Sequence, residues 1–255
     1  MMGRLLSGLT VVLLLGGPSA MQAQSGFDHG RFDQLLTAHV TDGRVDYAAF
    51  ARSREFTGYL GALSAFDPSR LERDERLAFW INSYNAFTIE LINRNAERRS
   101  IRRISRPWSQ RFIRIGGRSL SLDDIEHEII RKEFREPRIH FALVCAAKGC
   151  PPLRAEAYSG ARLERQLDEQ AMAFLTRTPE KNRVDLARKT VWLSPIFKFR
   201  DYERDFGGSP EAIGRFVAGY FRRAGLGPEA ALLERGAFAL KYTDYDWSLN
   251  GLGTE

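Results

Sequence analysis

The strongest constraint on this chain is one run of apolar residues at helical spacing. Leu77, Trp80, Ile81, Tyr84, Phe87, Thr88, Leu91 and Ile92 recur at intervals of three and four, which predicts a long helix with a face against a core. Asp67-Pro68 supplies the start signal, an N-cap candidate followed by a proline suited to the first helical position. The pattern predicts an end near Asn93–Asn95. Such a helix needs cover, and 17 Phe, 8 Tyr and 4 Trp in 255 residues can provide it.

Around this helix the signals are mixed. Phe32, Leu35, Leu36 and Val40 suggest a short helix, and Thr41-Asp42-Gly43 a turn. Val45 and Tyr47 read as extended, with a helix following through Phe50, Tyr59, Leu60 and Leu63. Phe112 to Leu122 reads as a hairpin turning at Gly116-Gly117. Ser121 and Asp124 fit a helix start whose stripe is Leu122, Ile125 and Ile129. Ile139 to Cys145 is apolar on both alternating faces, which predicts a strand covered on each side. A second long amphipathic helix covers Leu163 to Leu175. Val184–Leu186 and Val191–Leu193 read as paired strands, Ser209-Pro210 as a helix start, and Phe238–Tyr242 as a last strand. Helices dominate and strands are short and scattered. The expected fold is therefore α+β: a single compact, helix-rich domain over residues 24–255, with short strands around a buried central strand at about 138–145.

The N-terminus points to export. Arg4, the apolar run Leu5 to Leu15, the breakers Gly16, Gly17 and Pro18, and small residues to Ala23 form the three-part pattern of a secretory signal over residues 1–23. The run falls well short of the roughly 20 residues that span a bilayer. The expectation is cleavage between Ala20 and Gln24 and no membrane span in the mature chain. The destination is the periplasm in a Gram-negative cell, and otherwise the exterior. The formal charge of +6 is modest and interspersed with acids. The densest basic stretch, Arg98, Arg99, Arg102, Arg103 and Arg106, reads as a solvated loop, with an anion-binding surface as its functional alternative. Nucleic acid is not an expected partner; a small-molecule, peptide or envelope ligand is.

The segment that could carry chemistry is HFALVCAAKGCPPLR, from His140 to Arg154. Cys150 precedes a proline, which pushes it away from helical backbone angles, and a short helical turn starting at Pro151 would make it an N-cap. Free N–H groups there, with Lys148 nearby, would favour a thiolate. Its candidate base is His127 or His140. The competing reading is a Cys145–Cys150 disulfide, which export and the even cysteine count permit. It would shape a local loop, contributing roughly 2 kcal/mol on the entropic model. Cys145 itself is expected to be buried at the end of the strand. Cys145, Cys150, His127 and His140 have the ligand types of a zinc site, but the cysteine spacing is not that of the usual close pair. No metal and no cofactor are expected.

Asn82 and Asn85 lie three apart in the long helix, where asparagine is a poor choice. Their amides either hold neighbouring backbone or orient a histidine or an oxyanion. Tyr84, Lys148 and Arg154 are the candidate substrate-binding residues.

FWINSYNAF, SLDDIEHEIIR, RIHFALVCAAKGCPPLR, LSPIFKF with Asp205-Phe206, and YDWSLN together resemble the family called "domain of unknown function 547", from about Val40 to Asn250. The resemblance points to Asn82, Tyr84, Asn85, His127, His140, Cys145, Cys150, Pro151 and Pro152. That family occurs in bacteria, often with export signals, and in plants behind a leucine-zipper-like region, and the resemblance brings no established activity. The chain has no Gly-x-Ser-x-Gly, phosphate loop, dinucleotide glycine pattern, His-Glu-x-x-His or papain-type cysteine signature. Two functions follow as expectations. One is a thiol-dependent hydrolase or acyl transferase with Cys150 as nucleophile, His127 or His140 as base, and Asn82 or Asn85 as positioning groups. The other is a non-catalytic envelope binding protein with a Cys145–Cys150 disulfide loop.

Overall fold

The computed structural model describes residues 26–253; the expected signal segment lies outside them. The chain begins with helix α1 (Gly30–His39), a two-residue hairpin of β1 (Val40–Thr41) and β2 (Arg44–Val45), and helices α2 (Tyr47–Arg52) and α3 (Arg54–Ala65). The hairpin turn is Asp42-Gly43, both with positive φ. The Asp46 carboxylate and Ser53 hydroxyl cap α2 and α3 by accepting the N–H of Ala49 and Phe56. The break at Ser53 divides what reads in sequence as one helix.

Helix α4 (Arg73–Arg94) is the long helix. Asp67 does not start it. Its carboxylate caps a separate 3₁₀ turn, Pro68–Arg70, and α4 begins three residues later. Every residue from Leu77 to Ile89 is buried, so α4 is a central rod wrapped on all sides, not a one-faced helix. The hairpin of β3 (Ile113–Ile115) and β4 (Arg118–Leu120) packs against α3 and turns at Gly116-Gly117. A reciprocal capping box follows: Ser121 Oγ accepts the Asp124 N–H at 3.1 Å while Asp124 Oδ2 accepts the Ser121 N–H at 2.9 Å. The helix it opens is π-wound over Asp124–Ile130 and continues as α5 (Arg131–Phe134). The Arg98–Arg106 arginines named in the sequence are exposed, with Glu97 paired to Arg103.

The expected strand at about 138–145 is not there. Ile139–Ala142 forms one helical turn, α6, and only Leu143 onward is extended. The turn sits between two cores: Ile139 and Ala142 belong to the first, around α4, and Phe141 to the second. A helical turn buried on all sides has the same apolar pattern as a doubly covered strand. The Asn85 amide then takes over the backbone, donating to Ala142 O at 3.0 Å and accepting from Val144 N at 2.9 Å.

The second core is built by α7 (Leu163–Thr176), α8 (Pro210–Arg223), α9 (Gly227–Arg235) and a three-stranded sheet. The sheet has the order β5 (Arg183–Asp185), β6 (Thr190–Leu193), β7 (Ala239–Tyr242). The β5–β6 pair is antiparallel, and β7 returns parallel to β6. The fold is α+β, helix-rich with short strands in small sheets. Among the described residues no helix is long and apolar enough to cross a membrane.

Candidate functional site

A cavity of about 240 Å³ opens where the π-wound turn, α6, the cysteine loop and the C-terminal tail meet. The π-wound turn supplies Glu126 and His127, α6 supplies His140, and the loop supplies Cys145, Cys150 and Pro151. Aromatic rings wall it, among them Tyr84, Trp108, Phe199, Tyr202, Tyr245 and Trp247. π-wound turns widen a helix locally and recur at functional sites.

Cys145 and Cys150 are joined by a disulfide. Cys150 is 3% exposed, while Cys145 is half-buried. The Cys145 N–H donates to Cys150 Sγ at 3.1 Å, and the Tyr245 hydroxyl lies 3.3 Å from Cys145 Sγ and 3.2 Å from Cys150 Sγ. The loop is clamped from the tail by Lys148 N–H to Ser248 O and Gly149 N–H to Asp246 O, both at 2.8 Å. From behind, Lys181 Nζ donates to Lys148 O at 2.8 Å and to Cys150 O at 2.9 Å, and burial lowers the pKa of that amine. No helix follows Cys150; Pro151 to Arg154 lacks regular structure, so the expected N-cap role is corrected. Two consecutive prolines each bias the residue before them toward extended backbone.

His140 is 4% exposed. Its Nε2 lies 2.7 Å from Asp205 Oδ2, and its ring stacks on Tyr202 with centroids 4.0 Å apart. Burial acts to raise the Asp205 pKa, but hydrogen bonds from His140 and Arg131 outweigh it and hold the carboxyl at about 2. Asp205 is thus an acceptor, and Nε2 carries the proton. The other nitrogen, Nδ1, is buried and has no hydrogen-bond partner among the described residues. Glu126 Oε1 stands 3.9 Å from it and accepts a hydrogen bond from the Tyr202 hydroxyl. His127 Nδ1 is 3.3 Å from Arg131 Nη1, and its Nε2 is 3.6 Å from Asp123 Oδ1.

Of the residues singled out in the sequence, Tyr84, His127, His140, Cys145, Cys150 and Pro151 line this one cavity. Asn82 and Asn85 do not. Asn82 donates to Tyr158 O at 2.8 Å and accepts from Tyr158 N at 2.9 Å, while Asn85 holds Ala142 and Val144. Both amides are spent on backbone, which removes them as positioning groups for a histidine or an oxyanion. Lys148 and Arg154 also lie off the cavity; Arg154 is bound to Glu156 and Glu169. Cys145, Cys150, His127 and His140 do not form a zinc site: the two sulfurs are bridged to each other, and among the described residues no group of three or more His, Cys, Asp or Glu side chains gathers to hold a metal ion.

Sequence reasoning passed over Glu126, Tyr202, Asp205, Lys181 and Tyr245 as site residues. Glu126, Asp205 and Tyr245 lie inside the family-like motifs, which is the available signal. Tyr202 and Lys181 lie outside them.

No curated protein and no solved structure matches the chain. Over residues 68–175, which hold the asparagine helix, the Glu126–His127 turn and the Cys145–Cys150 loop, the chain matches the family described as "Protein of unknown function, DUF547", the family its motifs resemble.

Proposed function

We propose that the protein is an exported ligand-binding protein whose pocket is walled by the Cys145–Cys150 loop. The observation that carries this reading is the disulfide at the cavity wall. A bridged sulfur is not a nucleophile, since only the thiolate attacks. Aromatic walls with a few convergent polar groups are the usual lining of a small-molecule site. An oxidising compartment, to which the N-terminal pattern points, would keep the bridge closed.

Intact mass with and without reduction, joined to thiol labelling of the native protein, tests this. A two-hydrogen deficit and no labelling are expected. Ready labelling of Cys150 in non-reduced protein would overturn it.

A second reading has one specific observation behind it: His140 Nδ1 is unpartnered and Asp205 holds the opposite nitrogen. This is the arrangement of a base oriented by a third group. A dithiol reductant would supply two electrons and two protons, giving two thiols. Cys150 would pass its proton to Nδ1 and add to an acyl carbonyl as the thiolate. The leaving group would take that proton, and water would release the acyl group. The Cys145 N–H and the Tyr245 hydroxyl, both at Cys150 Sγ, would stabilise the thiolate. Ester hydrolysis appearing only after reduction, and lost in Cys150→Ser, is the outcome that separates this reading from the first.

A further inference from the structure

Two buried polar atoms of the cavity residues, His140 Nδ1 and Glu126 Oε1, are acceptors. Asp205 fixes the His140 proton on Nε2, so in the neutral ring Nδ1 presents a lone pair. That nitrogen is buried with no donor, and leaving it so costs free energy. Glu126 Oε1 is 3.9 Å away. The Tyr202 and Tyr84 hydroxyls give Glu126 hydrogen bonds, and a carboxylate has room for more. Nδ1 has no open surface as the side chains stand, so a nitrogen bridges Nδ1 and Oε1 at hydrogen-bond distance once the two, now 3.9 Å apart, separate to admit it.

The charges around this point are not balanced. Asp123 is matched by Arg200 at 3.2 Å on the rim. Arg131, the nearest other cation, is taken up by Asp201 and Asp205. Among the described residues Glu126 pairs with no lysine or arginine. It sits 6% exposed in a cavity that Tyr84, Tyr202 and Tyr245 also line. Aromatic faces and a carboxylate both favour a cation.

We propose that the cavity takes a small apolar or aromatic molecule carrying a primary ammonium group, held between Glu126 and His140 Nδ1. The proposal rests on the ligand-binding reading above. The unpartnered nitrogen calls for an N–H donor, which a quaternary ammonium lacks and a carboxylate cannot supply.

Calorimetric titration of the oxidised full chain tests this with benzylammonium, benzyl alcohol, benzyltrimethylammonium and benzoate as probes. Benzylammonium is expected to bind about tenfold or more tightly than each of the others. Glu126→Gln should remove that preference, so that benzylammonium binds this variant no more tightly than benzyl alcohol binds the same variant. Equal binding of benzylammonium and benzyl alcohol, or a preference for benzoate, overturns the ammonium assignment while the pocket reading stands. Binding of none of the four overturns both. If Glu126→Gln fails to fold, the probe series on the unmodified chain decides alone.

Discussion

His140 and Asp205, 65 residues apart, meet through a 2.7 Å hydrogen bond that joins the short helix α6 to the 3₁₀ turn Tyr202–Phe206. Arg131, the first residue of α5, reaches the same Asp205 oxygen at 2.6 Å. One carboxylate therefore anchors the three segments that set the position of the imidazole. The ring orientation is a property of Asp205 as much as of His140.

Asp205→Asn is expected to flatten the acid limb of stability. Burial pushes the Asp205 pKa up, but hydrogen bonds from His140 and Arg131 carry it from 3.8 down to about 2. A folded-state value below the unfolded one means stabilisation present above about pH 4 and lost as pH falls through about 2. The shift corresponds to about 2 kcal/mol. Urea midpoints measured across that window should converge for the two proteins at the acid end. Parallel curves would remove Asp205 from this role.

His29 acts in a separate window. Burial lowers its pKa from 6.5 to about 4, against the raising effect of Asp28. Its Nδ1 is 2.7 Å from the Tyr59 hydroxyl, while Nε2 is buried without a partner. The unfolded chain takes up this proton first, so stability falls as pH drops from about 6.5 toward about 4. The loss is about 3 kcal/mol at the lower end. His29→Gln should abolish the slope in this window and leave the Asp205 window intact, which denaturant titrations at closely spaced pH values can resolve.

The buried amides in α4 are structural, and their removal should be costly. Asn85→Ala strands the Ala142 carbonyl and the Val144 N–H in a buried site. Each unsatisfied group costs about 1–3 kcal/mol, so a loss of about 2–6 kcal/mol is expected. Asn82→Ala does the same at Tyr158. Thermal unfolding measures both; a change under 1 kcal/mol would mean that water replaces the amide without penalty.

Much of the scaffold was legible because its signals are local. The Ser121–Asp124 box, the Gly116-Gly117 turn and the Ser209-Pro210 start need only neighbouring residues, and each stands where the sequence places it. The helical turn at Ile139–Ala142 was not legible, because an apolar run between two cores has no polar face to reveal its period. The same limit applies to the site. The Cys145–Cys150 pairing is one of several readings that spacing alone leaves open. Asp205 reaches His140 from 65 residues away, and Tyr245 reaches Cys150 from 95. Contacts of that kind leave no periodic trace.

The final prediction concerns the seat of Tyr245 on the disulfide. Gly149 lies in the loop, and a Cβ there would stand 2.9 Å from three carbons of the Tyr245 ring. The ring has little room to yield, because Phe199 and Trp247 pack on it at centroid distances of 4.9 Å and 4.5 Å. Gly149→Ala should therefore displace the ring and withdraw its hydroxyl from both sulfurs, at a cost of about 1–3 kcal/mol in stability. With the hydroxyl gone from the cavity side, a small dithiol gains access to the half-buried Cys145 sulfur, and exchange depends on access. Reduction by dithiothreitol, followed by mass, should be faster in Gly149→Ala than in the unmodified chain. Tyr245→Phe separates the two contributions: it keeps the ring and removes only the hydroxyl, so its rate should fall between the others. If all three proteins are reduced at the same rate, Tyr245 does not guard the bridge.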